Sequence, residues 1–223
     1  MRRLRKIAST AFVAVFLSAT AGCVTVPGMK SGGAVDVDGL VGQGNGIVER
    51  YQSALTNLLQ AQELLSVALG IKNAGDRAAE TAKLLSRGIV DDETLKKATA
   101  VTEENNKLIA AKIAEGSKLD AESKQKYGEA VPYYSKGTLD GALLVKDAAD
   151  YVTSISSSSS QLVSDPAMLG KLKEGAAAGV FVGTKLPGLI NEWYDNTKTL
   201  ITFGQENDID VSKATDVMEE IKL

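Results

Sequence analysis

Apolar side chains recur at steps of three and four residues through most of this chain. No segment sustains alternation of apolar and polar residues. Steps of three and four bring side chains onto one face of an α-helix, whereas a half-buried strand requires strict alternation. The clearest stripe lies between residues 42 and 69, with polar side chains mostly on the opposite face. We therefore predict an all-α fold, a single helical bundle of five to seven helices. The stripe comprises Ile47, Tyr51, Leu55, Leu58, Leu59, Gln62, Leu65 and Leu69.

Glycine and aspartate mark most of the predicted helix boundaries. Gly88 and Gly116 each follow a helical pattern, and glycine is the residue most often found just beyond a helix C-terminus. Asp91 and Asp120 precede the next patterns and are plausible N-caps. The predicted helices are 42–69, 76–87, 92–115, an interrupted segment 120–159, 164–184, 187–203 and 213–222.

Two prolines and a serine run are expected to interrupt the second half of the chain. Pro132 removes a helical hydrogen bond, so it should kink or split the segment 120–159. Pro187 is expected to open a new helix, because proline is favoured in the first turn. The five serines at 156–160 are expected to form a frayed helix end or a hinge.

The N-terminus carries a short basic segment, an apolar stretch and then a cysteine. Residues 2–6 include four basic side chains, and residues 7–19 are apolar but too few to span a bilayer. The stretch ends in Thr20-Ala21-Gly22-Cys23. This arrangement resembles a bacterial lipoprotein signal, although that signal usually has leucine or a similar residue where Thr20 stands.

The resemblance implies that residues 1–22 are a signal peptide and that Cys23 is acylated and becomes the first residue of the mature chain. Residues 23–41 are rich in glycine and are predicted to be a flexible, lipidated tether, which leaves 42–223 as the bundle domain. Val24 takes the place of the aspartate that favours inner-membrane retention. The expected location is therefore the outer membrane, facing the periplasm, if the host is a typical Gram-negative cell.

The charge of the mature chain limits its possible partners. Without residues 1–22 the chain has 21 basic and 28 acidic side chains, a formal net charge of −7. An acidic chain is a poor binder of nucleic acid and of anionic lipid surfaces. Membrane attachment is therefore expected to depend on acyl chains at Cys23, and no nucleic-acid partner is expected.

The chemistry available to the chain is restricted, because it has no histidine and one cysteine. A catalytic triad containing histidine cannot be built, and a zinc site would need carboxylates and one thiol. Asp140 and Asp147 lie seven residues apart on one predicted helix, but nearby charges favour a solvated face. We predict no catalytic residues, no metal site and no cofactor.

The most informative motif is a series of three glycines, Gly175, Gly179 and Gly183, spaced by four residues. Glycine in a helix costs about 1 kcal/mol relative to alanine, so a helix that carries three on one face usually needs another backbone close by. Packing inside the bundle is the first interpretation. A face for a partner or for self-association, extended by Trp193 and Tyr194, is the second, and insertion into lipid is the third.

Tyr127, Tyr133 and Tyr134 form a second candidate surface beside Pro132. Clustered tyrosines can bind a partner at little entropic cost, but more often they close a core near a helix kink. If the helix continues through Pro132, Tyr127 and Tyr134 share a face because they are seven residues apart.

These patterns lead to two functional hypotheses and one remote alternative. The first is a membrane-anchored periplasmic lipoprotein that acts as a non-enzymatic accessory or scaffold subunit of a cell-envelope assembly. The second is a carrier of a lipid or another hydrophobic ligand, for which the small residues at 175–183 could leave room. An enzyme that uses carboxylates alone would require two acids buried beside a cleft.

Overall fold

The computed structural model describes residues 35–88, 90–116 and 118–221, and these residues form six α-helices. An all-α bundle within the predicted range of five to seven helices is thereby confirmed. The helices are α1 (Val37–Ala68), α2 (Ala74–Leu85), α3 (Asp92–Ala114), α4 (Ala121–Gln161), α5 (Pro166–Glu206) and α6 (Ser212–Glu219).

Aspartate side chains cap four of the helices at their N-termini. Asp91 accepts a hydrogen bond from the amide of Thr94 at 2.8 Å, and Asp120 accepts one from Ser123 at the same distance. Because each bond favours the charged carboxylate, the pKa values of both aspartates are lowered. The N-caps predicted at these two positions are confirmed. Asp36 and Asp165 cap α1 and α5 in the same way.

Neither proline splits its helix into two. Pro132 lies inside α4 and Pro187 lies inside α5, and each of these helices is 41 residues long. Each proline removes one amide donor, but the residues beside it are held by burial: Val131 next to Pro132, and Leu186 and Leu189 around Pro187. Two predicted helices, 164–184 and 187–203, are therefore one.

The serine run also stays helical. Residues 156–160 belong to the last turns of α4. Ser157 and Ser160 donate hydroxyl hydrogen bonds to the carbonyls four residues earlier, at 3.0 and 3.1 Å. Such bonds to the helix's own carbonyls satisfy the hydroxyls without ending the helix.

Several helix ends differ from the predicted boundaries. α1 begins at Val37, so residues 37–41, predicted to belong to the tether, are helical, and Val37 and Leu40 are buried. The tether hypothesis is thereby shortened to residues 23–36. α2 begins and ends two residues before its predicted bounds, at 74 and 85. α6 begins at Ser212, one residue before its predicted start.

The three long helices run side by side, with α4 antiparallel to α1 and α5. Near one end, Lys171 forms an ion pair with Asp38 at 2.7 Å. Further along α1, Arg50 pairs with Asp147 and Asn57 bonds to Asp140. At about 1.5 Å per residue, α4 and α5 each extend roughly 60 Å.

The bundle has a narrow part and a wide part. The narrow part, which we call the stem, consists of residues 37–46, 148–161 and 166–183 of the three long helices. The rest of the bundle, which we call the head, also contains α2, α3 and α6. The buried stripe of α1 reflects this division, since it has three buried residues among 37–46 and is much denser beyond Ile47.

Candidate functional site

The predicted glycine series faces the interior of the stem. A Cβ atom on Gly175 would lie 2.7 Å from Cγ2 of Val41, and one on Gly179 would lie 3.0 Å from the Cα of Gly44. A Cβ on Gly183 would overlap the backbone carbonyl of Ala148. The three glycines therefore let α5 pack directly on α1 and α4, which fits the first interpretation of the motif.

The same contacts leave no room for a partner on that face. Gly179 and Gly183 are buried by the chain's own helices, and Gly175 is partly exposed. A second protein could reach these glycines only if the stem opened. In the folded stem, this face is thus covered by α1 and α4 and is not available for docking a partner or for insertion into lipid.

Tyr151 is the large side chain that the stem accommodates at this level. Its ring fills the space between Gly44 and Gly179, and it is fully buried. Its hydroxyl is also buried and has no hydrogen-bond partner among the described residues. Burial raises the pKa of Tyr151 to about 12, because the charged phenolate would lose its hydration.

Trp193 and Tyr194, which the partner-face interpretation placed together, have different environments. Trp193 is fully buried in the head and stacks on Tyr51, with ring centroids 6.2 Å apart and planes at 13°. A Cβ on Gly141 would lie 2.8 Å from the indole ring, so α4 approaches Trp193 closely. Tyr194 is partly exposed, and the ammonium of Lys198 lies 4.2 Å from its ring centroid. Trp193 is thus a core residue, and only Tyr194 can take part in a surface.

The tyrosine cluster beside Pro132 is likewise divided by burial. Tyr127 and Tyr134 lie on one buried face of α4, as expected for a helix that continues through the proline. The hydroxyl of Tyr127 donates to the carbonyl of Leu200 at 2.9 Å, and burial raises the pKa values of both tyrosines. Tyr133 points the other way and is 44% exposed, so it alone is available as a binding residue.

The head contains a buried network of amide side chains. Gln62 of α1 donates to the carbonyl of Thr102 at 2.9 Å and to Oδ1 of Asn106 at 2.7 Å. The hydroxyl of Tyr134 donates to the same Asn106 oxygen at 2.8 Å. Asn105 donates more weakly to Gln62 at 3.4 Å. This network joins α1, α3 and α4 through polar groups that are almost fully buried.

Sequence reasoning did not identify this network as a unit. Gln62 gave a signal, because a glutamine occurred in a stripe that was otherwise apolar. Asn105 and Asn106 gave none, since the two consecutive asparagines follow two glutamates and read as part of a solvated face. The burial of both asparagines depends on α2 and α4, which cover α3.

The small space beside this network is too narrow for an organic ligand. It is bounded by Asn106, Tyr134 and Asn196 together with apolar side chains of α3 and α5, and its volume is about 10 Å³. That volume is comparable to a single water molecule. The larger spaces are open grooves at the surface of the head.

Three surface grooves have volumes of several hundred Å³. The largest, about 620 Å³, lies between α1, α4 and α6 and is lined by Leu64, Pro132, Tyr133, Asp210 and Lys213 among others. A second, about 500 Å³, lies where α3 and α5 end, and a third, about 420 Å³, lies beside the α2–α3 loop. Their walls mix charged, amide and aliphatic groups, as ordinary protein surfaces do.

The two acids that the sequence places seven residues apart, Asp140 and Asp147, form polar contacts at the surface of the bundle. Asp140 bonds to Lys136 and Asn57, and Asp147 pairs with Arg50, so these two acids occupy the solvated face that was expected. Within residues 35–88, 90–116 and 118–221, no three acidic or thiol side chains are grouped so that they could hold a metal ion.

The described residues contain no helix that is both long and apolar enough to cross a bilayer. The predicted signal peptide and Cys23 lie outside the described residues. The lipid-attachment hypothesis for Cys23 therefore stays a prediction from the sequence.

Comparison with known proteins gives no relative from which a role could be transferred: no protein-family model, curated protein or solved structure matches the chain significantly.

Proposed function

We propose that this protein is a lipid-anchored periplasmic scaffold, acylated at Cys23, whose stem holds the head away from the outer membrane and whose head binds another envelope protein. The observation that carries the proposal is the position of α1. It begins at Val37, 14 residues after Cys23, and it does so at the free end of the stem. An anchor at Cys23 would thus be connected to the end of the stem that lies opposite the head.

The dimensions of the long helices support a spacing role. α4 and α5 each extend roughly 60 Å, of which their stem residues account for roughly 20–27 Å, and both begin or end beside the start of α1. The stem consists of three helices, and Gly179 packs on Gly44 within it, so it adds length with little width. Two or more acyl chains would provide stable attachment, whereas one holds only weakly.

The proposed partner surface lies on the head, because the glycine face is covered by α1 and α4. Tyr133 is the exposed member of its cluster and lines the largest groove, beside Pro132 and Lys213. Aromatic side chains with an exposed edge are favoured at protein interfaces. This groove is therefore the surface that we would test first for a protein partner.

The carrier hypothesis receives no specific support from the described residues. The space beside the small residues at 175–183 is filled by Val41, Tyr151 and Val152. The space beside the amide network has a volume of about 10 Å³. An acyl chain could enter only if helices separated. We therefore do not put the carrier forward as a second candidate function.

The anchor is tested by growing cells that express the full chain with an alkyne-labelled fatty acid. We expect the label on the wild-type protein and none on Cys23→Ser, which should leave the outer-membrane fraction. A second experiment places a photo-crosslinking residue at Tyr133 or, as a matched control, at Leu143, which is also exposed. A protein captured from Tyr133 and not from Leu143 supports the scaffold. Labelled protein that captures nothing from any exposed head position contradicts it.

A further inference from the structure

The turn between α4 and α5 forms an apolar tip at the free end of the stem. Val163 is 69% exposed, the largest fraction among the exposed large hydrophobic residues of the described chain. Leu162 and Met168 are partly buried beside it, and Pro166 and Ala167 are exposed. We define the apolar tip as these five residues.

The apolar tip lies at the same end as the start of α1. Lys171, one turn into α5, is paired with Asp38 in the first turn of α1 at 2.7 Å. Gly175, a further turn along, packs on Val41. The chain that precedes Val35 therefore enters the structure beside the apolar tip.

We infer that the apolar tip rests in the lipid surface to which Cys23 is attached, so that the stem stands on the membrane by its end. This inference depends on the proposed acylation of Cys23. About 12 residues separate Cys23 from the first described residue, Val35. If these residues form the predicted flexible tether, its r.m.s. reach is roughly 20 Å, and the anchor would keep the apolar tip close to the bilayer.

Apolar contact is the interaction that the residues of this end provide. Asp165, Lys173 and Glu174 are exposed there, and Lys171 is paired with Asp38. Such a mixture of charges gives no strong attraction to anionic lipid. A few exposed aliphatic groups bind a bilayer weakly when free, but attachment through a short tether raises their effective concentration to the millimolar range.

The test uses the full acylated chain in vesicles of phosphatidylethanolamine with a minority of phosphatidylglycerol. An environment-sensitive fluorophore is attached at Val163→Cys, and Leu143→Cys is the matched control. Both positions are exposed aliphatic sites, and they lie about 20 residues, or about 30 Å, apart along α4 and the turn that follows it. Acylation blocks the thiol of Cys23, so labelling of that residue would itself show that the anchor is missing.

We expect a blue-shifted emission at position 163 and strong quenching by lipids that carry a spin label in the acyl chain, with neither effect at position 143. Equal, solvent-like emission at both positions of a fully acylated protein overturns the inference and leaves the proposed function intact. An unacylated Cys23 overturns the proposed function. A signal at 163 that fades when the protein is diluted with lipid indicates a second copy of the chain and also contradicts the inference.

A second variant separates lipid contact from a local change in the turn. The fluorophore is moved to Ser164→Cys, which is exposed, with or without Val163→Asp. Because Val163 is mostly exposed, the aspartate should leave the helix content unchanged. We expect it to reduce the lipid quenching at position 164, and unchanged quenching would contradict a role for Val163.

Discussion

The stem and the head differ in what fills the space between their helices. In the stem, glycines replace side chains, so that α5 lies directly on Gly44 and on the backbone of Ala148. In the head, Trp193 and three buried tyrosines fill wider gaps, and amide side chains connect the helices through hydrogen bonds. The stem glycines should therefore be sensitive to added atoms, and the large buried side chains of the head should be sensitive to lost ones.

The largest effect is expected when an aromatic side chain of the head is removed. Trp193→Ala should lower the free energy of unfolding by about 3–5 kcal/mol, because the cavity between Tyr51 and Gly141 cannot close fully. Urea unfolding followed by circular dichroism measures the change. Tyr194→Ala is the control on the next residue, and it should cost much less because Tyr194 is partly exposed. Equal losses would contradict the distinction between the two positions.

The second prediction concerns an added methyl group in the stem. Gly183→Ala should lower the free energy of unfolding by about 1–3 kcal/mol, since the new Cβ would meet the carbonyl of Ala148. Gly188→Ala is the control in the same helix, because a Cβ at Gly188 would meet nothing within 4 Å. It should raise stability by up to about 1 kcal/mol through helix propensity alone.

The sign of the difference between these two variants is what matters. The midpoint temperature of thermal unfolding, measured for both variants side by side, should fall for Gly183→Ala and rise for Gly188→Ala. If both substitutions stabilise the protein, the stem is less tightly packed than its glycine contacts indicate.

The sequence allowed the helices to be predicted better than their continuity. Asp91 and Asp120 were recognised as caps because a capping carboxylate needs only its local neighbours. The continuity of α4 and α5 was not recognised, because Pro132 and Pro187 are tolerated only when the surrounding helices bury the residues beside them. That burial depends on contacts distant in sequence, which periodicity alone does not reveal.

The candidate surfaces show the same limit. The four-residue spacing of Gly175, Gly179 and Gly183 indicated close helix packing but could not indicate which helix would lie opposite. The division of the tyrosine cluster followed from helical phase once α4 was known to be continuous, which left Tyr133 exposed. The stem and head could not be predicted, because their boundary depends on where α2 and α3 lie against the longer helices.

The third prediction tests whether the amide network stabilises the head. Gln62→Leu should lower the free energy of unfolding by about 1–3 kcal/mol, because Asn105 and Asn106 would each lose a buried partner. Gln60→Leu is the control, two residues away on the exposed side of α1, and it should change stability by no more than about 0.5 kcal/mol. Urea unfolding of both proteins measures the difference. A neutral Gln62→Leu would show that apolar packing replaces the network.

The smallest effect distinguishes two buried tyrosine hydroxyls, one in each part. Tyr127→Phe should cost about 1 kcal/mol, because its hydroxyl donates to Leu200, whereas Tyr151→Phe should cost almost nothing, because that hydroxyl has no partner among the described residues. Tyr151→Phe should also change the alkaline limit of stability.

The folded pKa of Tyr151, about 12, lies above its usual value of 10.0, so between these values the folded protein keeps a proton that the unfolded chain has lost. The contribution of this proton to stability is complete below pH 10 and declines as the pH rises towards 12. Unfolding free energies measured across this range should therefore fall less steeply for Tyr151→Phe than for the wild type. Identical slopes would mean that water reaches the phenol through the stem, and that the glycine contacts around Gly44 and Gly179 open more readily than the packed structure indicates.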